Sequence, residues 1–146
     1  MKNLVIGQSG GPTAVINASL YGAVKAFKES GTDGHVLGMI NGIEGFLADH
    51  VMDLSTDLSD EELELLKLTP AAYLGSCRYK LPADLESEVY PAIFDNFREM
   101  NIGYFLYVGG NDSMDTVDKL SRYAEKIGSD VKFIGIPKTI DNDLVL

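Results

Sequence analysis

Three short polar segments hold most of the residues able to do chemistry. They are Gln8-Ser9-Gly10-Gly11-Pro12-Thr13, Gly109-Gly110-Asn111-Asp112-Ser113 and Pro137-Lys138-Thr139-Ile140-Asp141-Asn142-Asp143, and each directly follows an apolar run. In the first, Gly10 and Gly11 leave main-chain N–H groups open to an anion, with no Cβ in the way. A helix starting just after them adds its positive end. Taken alone, this segment reads equally well as a tight strand–helix turn with no ligand. It is not a P-loop, because no Gly-Lys-Ser/Thr follows, and it is not a clean G-x-G-x-x-G. The second segment adds oxygen ligands: an amide from Asn111 and a carboxylate from Asp112. Such a set suits Mg²⁺ beside phosphate, although Asp112 or Ser113 could instead serve as the N-cap of the next helix. The third segment is the most specific. Lys138 is a compact cation suited to phosphate. Of Asp141 and Asp143, one can accept a hydroxyl proton while the other holds metal or orients the alcohol. A solvated Asp-Asn-Asp turn would explain the aspartates but not the Pro-Lys-Thr-Ile before them.

These segments need elements to hold them. Leu4-Val5-Ile6 reads as a short buried strand, and Ala14 to Phe27 as a helix with Ile16, Leu20, Val24 and Phe27 on one face. His35 to Ile40 is a second strand. Ser59-Asp60-Glu61-Glu62 has the pattern of a capping box, and acidic Asp57 to Glu64 reads as a solvated helix start. Residues 69–83 are loop-like. A helix is expected from about Asp84 to Met100, with Tyr90, Ile93, Phe94, Phe97 and Met100 inward. A strand at Gly103 to Val108 follows, then a helix carrying Met114, Val117, Leu120, Ala124 and Ile127 and stopping at Gly128. Val131 to Ile136 is the last strand. This alternation predicts βαβ units and a parallel sheet covered on both faces. If the strands are parallel, all three polar segments lie at their carboxyl ends, where open α/β sheets bind ligands. The final residues, Asp141 to Leu146, begin an element without finishing it, as a truncated chain would.

Composition narrows the classes. The chain has 146 residues, one domain's length, and a formal net charge of −10. That charge, with no basic stripe, disfavours nucleic acid. Phosphate would then be held by Mg²⁺ and a few placed cations, because broad positive potential is lacking. No apolar run approaches the ~20 residues of a membrane span, and the N-terminus lacks signal-peptide features. Cys77 is the one cysteine and cannot form an internal disulfide. Together these favour the cytoplasm. Cys77 has no histidine near it in sequence and reads as a small inert side chain. His35 and His50 are assigned no chemistry. Tyr104 and Tyr107 read as packing residues, and Gly42 and Gly45 as a flexible loop near the site.

Ser9-Gly10-Gly11 with Asn17, Gly75-Ser76-Cys77-Arg78, Gly109-Gly110-Asn111-Asp112-Ser113 and Pro137 to Asp143 resemble the phosphofructokinases in order and approximate spacing. The blocks span nearly the whole chain, and the last is close to diagnostic. The resemblance implies an α/β fold: a three-layer sandwich with a mainly parallel sheet, the incomplete first domain of a two-domain phosphofructokinase. Residues 1–146 would be the N-terminal phosphoryl-donor domain, with the sugar-phosphate domain elsewhere. The implied activity is phosphoryl transfer to the 1-hydroxyl of fructose 6-phosphate. Asp141 would be the base. Thr139, Ile140 and Asp141 would hold the reacting end of the sugar. Gly10, Gly11, Arg78 and Lys138 would bind the donor, and Tyr79 would line the same pocket. Asn111, Asp112 and Asp143 would hold Mg²⁺. Asn111 departs from the family's usual metal-linked aspartate, which leaves Asp112 or Asp143 to carry more of the metal. A homo-oligomer is implied for the full-length enzyme, and a fragment of this length would be inactive alone.

The donor follows from the same resemblance. ATP-using members usually carry glycine where Asp112 and Lys138 stand, whereas pyrophosphate-using members resemble this chain. Electrostatics agrees, because a carboxylate at 112 would crowd and repel a nucleotide's α-phosphate. Two like charges ~4 Å apart at an effective dielectric of ~20 cost about 4 kcal/mol. That excludes ATP if the carboxylate is not neutralised. The competing readings are an ATP-dependent phosphofructokinase and a phosphate-binding module without catalysis.

Overall fold

The structure is a computed structural model that describes residues 2–8, 14–31, 34–57, 59, 61–62 and 80–137. Its strands are β1 (Asn3–Gln8), β2 (Val36–Met39), β3 (Val51–Asp53), β4 (Ile102–Gly109) and β5 (Lys132–Pro137). The helices are α1 (Ala14–Glu29), α2 (Gly42–Leu47), α3 (Leu54–Asp57), α4 (Val89–Glu99) and α5 (Asn111–Ile127). The strands form one sheet in the order β3-β2-β1-β4-β5. Neighbours run parallel except β3, which lies antiparallel on the outer edge of β2. The sheet is therefore mainly parallel, as the βαβ pattern predicts.

Alternate residues of the central strands face opposite ways and build two cores. On one face Val5, Phe105 and Tyr107 meet α2, α4 and α5 through Ile43, Phe46, Tyr90, Phe97 and Leu120. Aromatic rings fasten this face: Phe97 lies 4.9 Å from Phe94 and 5.7 Å from Phe105, and Phe105 lies 5.6 Å from Phe133. On the other face Leu4, Ile6, Leu106 and Val108 meet Leu20 and Val24 of α1 and Leu54 of α3. Helices thus lie on both faces. Cover is incomplete among the described residues: Tyr104 on β4 is 40% exposed and Ile134 on β5 is 48% exposed. Tyr104 is therefore less a packing residue than the strand pattern implied, whereas Tyr107 is buried.

Several elements differ from the sequence expectation. The helix expected from Asp84 begins at Val89. Local bonds hold the preceding residues in turns: Glu86 N–H donates to Asp84 Oδ1 at 2.9 Å and Val89 N–H to Ser87 Oγ at 3.4 Å. Such side-chain bonds compete with helix formation. Gly42 and Gly45 form a short helix instead of a flexible loop. Gly45 is glycine because a Cβ there would fall 1.5 Å from the carbonyl oxygen of Ile40. The edge strand β3 has too few residues to show a period and was not foreseen. Ile127, the last residue of α5, is 44% exposed.

The punctuation is as expected. Gly128 closes α5 at φ +72°, the left-handed conformation favoured at a helix end. Ser59 and Glu62 exchange the two capping-box bonds, Ser59 N–H to Glu62 Oε1 at 2.9 Å and Glu62 N–H to Ser59 Oγ at 3.1 Å.

Candidate functional site

From β1 the chain runs through α1 to β2 on one side, and from β4 through α5 to β5 on the other. The strand order therefore reverses between β1 and β4, and α1 and α5 pack on opposite faces. This is a topological switch point, and the crevice at the carboxyl ends of its strands is where open α/β sheets bind ligands. Register aligns those ends: Gln8 pairs with Val108, Val108 with Ile136, and Gly109 with Pro137. The residues that introduce the three polar segments thus end side by side at one edge. The segments themselves are described only in part. Gly10, Gly11, Arg78, Tyr79, Lys138, Thr139, Ile140, Asp141 and Asp143 lie outside the described residues.

Close packing supports this edge from below. Gly7 precedes the last residue of β1, and a Cβ there would fall 2.3 Å from Met39 Cε and 2.7 Å from Tyr107 Cε1. The Tyr107 hydroxyl accepts the Ile43 N–H at 3.4 Å and so ties the start of α2 to β4. Gln8 is fully buried at the end of β1.

The second polar segment opens α5. Its N-cap is Gly110, in extended conformation and without a side-chain cap, and its carbonyl accepts the N–H groups of Ser113 and Met114, both at 3.1 Å. Neither Asp112 nor Ser113 is the cap. Asn111 and Asp112 occupy the first turn with exposed side chains, and Ser113 is buried. Among the described residues, a Cβ at Gly110 would meet nothing within 4 Å.

Lys80 is the residue that sequence reasoning missed. Its Nζ lies 3.5 Å from Asp112 Oδ1, with the two side chains 69% and 76% exposed. The only signal was its place two residues after Arg78 in the Gly-Ser-Cys-Arg block. Its presence means that the Asp112 carboxylate is partly offset by a cation from the protein itself.

A cavity of about 510 Å³ opens at the other end of the sheet, lined in part by Lys2, Phe97, Arg98, Asn101 and Gly128. It adjoins the carboxyl ends of α4 and α5, whose terminal carbonyls disfavour phosphate. Among the described residues no group of three His, Cys, Asp or Glu could hold a metal.

An open sheet wound in both directions, with Gly109 and Gly110 at the end of β4 beside its switch point, defines a doubly wound α/β protein. The family model for phosphofructokinase matches residues 3–146, and the chain belongs to that family. It is 45% identical over 145 residues to a pyrophosphate–fructose 6-phosphate 1-phosphotransferase of Halomonas elongata, covering 97% of this chain and 34% of that protein. It is 36% identical over 141 residues to a sulfofructose kinase of Alkalicoccus urumqiensis, covering 97% of this chain and 35% of that protein. The crystal structure of a pyrophosphate-dependent phosphofructokinase from Marinobacter aquaeolei superposes with a TM-score of 0.84 at 43% identity, over 99% of this chain and 35% of that one. The chain thus spans about a third of the length of the relatives it matches.

Proposed function

We propose that this chain is the donor-binding, N-terminal part of a phosphotransferase that moves a phosphoryl group from pyrophosphate to the 1-hydroxyl of fructose 6-phosphate. The observation that carries the reading is the alignment of Gln8, Gly109 and Pro137 at one sheet edge. Each immediately precedes or opens a segment with phosphoryl-transfer chemistry in its residues. The names of the Halomonas and Marinobacter relatives support the donor and acceptor.

In this reading Gly10 and Gly11 offer main-chain N–H groups to the donor, and Arg78 and Lys138 bring cations to the transferring group. Preorganised donors of this kind stabilise charge that develops in the transition state. Asp141 takes the proton from the sugar's 1-hydroxyl as its oxygen bonds to phosphorus and the P–O bond of the donor breaks, releasing orthophosphate. Thr139 and Ile140 orient that end of the sugar.

Asn111 and Asp112 present exposed oxygen donors in one helical turn, open to water. That fits Mg²⁺, which keeps several waters and shares its ligands with phosphate. With Asp143 they would hold it, and the ion would neutralise charge on the donor.

No described helix is long and apolar enough to cross a membrane. We assign the full-length protein to the cytoplasm, as a homo-oligomer without nucleic-acid or membrane partners. Residues 1–146 are its donor domain, and the sugar-phosphate domain belongs to the rest of the enzyme. One observation favours ATP as a second donor: Lys80 offsets part of the Asp112 charge that would repel a nucleotide.

Turnover of the full-length enzyme with fructose 6-phosphate and Mg²⁺ tests the reading. Pyrophosphate should support it, ATP should support little, and residues 1–146 alone should support none. Asp141→Ala should lower kcat by ~10²–10⁴-fold, the usual worth of a general base, with the thermal midpoint kept. Turnover with ATP only would overturn the donor, and near-normal turnover of the variant would remove Asp141 from the base role.

A further inference from the structure

We propose that Lys119 and Tyr90 are positioning residues for donor binding: they clamp two successive carbonyls just after Arg78 and so hold that stretch of chain against α5. This rests on the phosphoryl-transfer reading above. Asp112, Asp115 and Lys119 stand three and four residues apart and form one stripe along α5. Residues 80 and 81 meet this stripe. At its N-terminal end Lys80 Nζ lies 3.5 Å from Asp112 Oδ1. Further along, Lys119 Nζ donates to the Leu81 carbonyl at 2.8 Å. The next carbonyl, of Pro82, accepts the hydroxyl of Tyr90. Tyr90 is a fully buried residue of α4, and its ring stacks 5.1 Å from that of Tyr123 on α5. Leu81 itself is 3% exposed in the main core.

Two features set this clamp apart from surface packing. Lys119 is only 18% exposed, with its charge met by Asp115 Oδ2 at 2.7 Å. A lysine so far out of water gives up hydration and rotamer freedom, and its ammonium is aimed at main chain, which fixes the loop whatever side chains it carries. In addition, the two bonds grip adjacent peptide groups from two different helices. Residues 81 and 82 are thereby held from sliding along α5 or lifting from it. Arg78 stands three residues before Leu81, so the main chain between them spans at most about 11 Å. The seat of Leu81 therefore limits where the guanidinium can go. Anchoring of this kind lowers the ordering cost of binding an anion.

Steady-state kinetics and melting curves of the full-length enzyme test this. Lys119→Met removes the ammonium and keeps the aliphatic stem; Tyr90→Phe removes the hydroxyl and keeps the ring on Tyr123. Each should raise KM for pyrophosphate by about tenfold, the scale of a misplaced binding group, with KM for fructose 6-phosphate at the wild-type value. Lys119→Arg should recover most of the loss. With Arg78→Met already in place, Lys119→Met should raise KM for pyrophosphate no further, because a positioning residue acts through the group it places. A merely structural role would lower the thermal midpoint and leave KM for pyrophosphate unchanged, and that result in both variants overturns the proposal. An equal rise in both KM values, or a full rise on top of Arg78→Met, also overturns it. Should Lys119→Met fail to fold, Tyr90→Phe decides by the same comparisons. Wild-type turnover with ATP and not pyrophosphate would refute the donor reading separately; KM for ATP in the same variants then decides the clamp.

Discussion

Asp53 shows how single side chains set local electrostatics in this fold. It ends the antiparallel edge strand β3 and faces His35, whose Nδ1 lies 2.8 Å from Asp53 Oδ2. The Ser55 N–H and hydroxyl both donate to Asp53 Oδ1, at 3.0 and 2.5 Å. Burial pushes the carboxyl up, but the bonds from Ser55 and the charge of His35 outweigh it and hold Asp53 below its ordinary value. His35, given no chemistry from sequence, thus has a structural partner. A depressed carboxylate stabilises the fold above the ordinary value of ~3.9 and loses that contribution as pH falls through its folded value. Asp53→Asn should therefore lower the thermal midpoint at pH 7 and narrow its gap to wild type as pH falls below about 4. Melting curves of both proteins across that range check this, and a gap that stays constant would contradict it.

At the scale of elements, what could be read from sequence tracks length and period. β1, α1, β2, β4, α5 and β5 carry unbroken apolar runs or long helical faces, and all six form where expected. The misses are short or glycine-rich: α2 and β3 contain 6 and 3 residues and owe their form to neighbours such as the Ile40 carbonyl against Gly45. Of the site, the loops that follow strands were legible because strand–turn–helix punctuation is local. The Lys80–Asp112 pair was not, because it depends on tertiary placement of a loop against α5. The two faces of the outer strands also differ in worth. Phe97 is 2% exposed among Phe94, Phe105 and Phe133, whereas Ile134 is 48% exposed. Phe97→Ala should cost about 3–5 kcal/mol, as for a buried aromatic. Ile134→Thr should cost no more than about 0.5 kcal/mol, as for a surface substitution. Chemical denaturation measures both, and equal losses would contradict the layer assignment.

For the whole molecule, the central matter is where an anion is gathered. The sheet reverses direction between β1 and β4, and its strand ends align at one edge. The opposite edge holds the cavity beside the carboxyl ends of α4 and α5. The proposed phosphoryl transfer does not by itself choose between these edges. A crystal structure of the full-length enzyme with methylenediphosphonate, a non-hydrolysable pyrophosphate analogue, chooses directly. The account predicts the diphosphonate in the crevice between β1 and β4, within reach of Gly11, Arg78 and Lys138. A diphosphonate seated instead in the cavity lined by Lys2, Arg98 and Gly128, with the crevice empty, would contradict it.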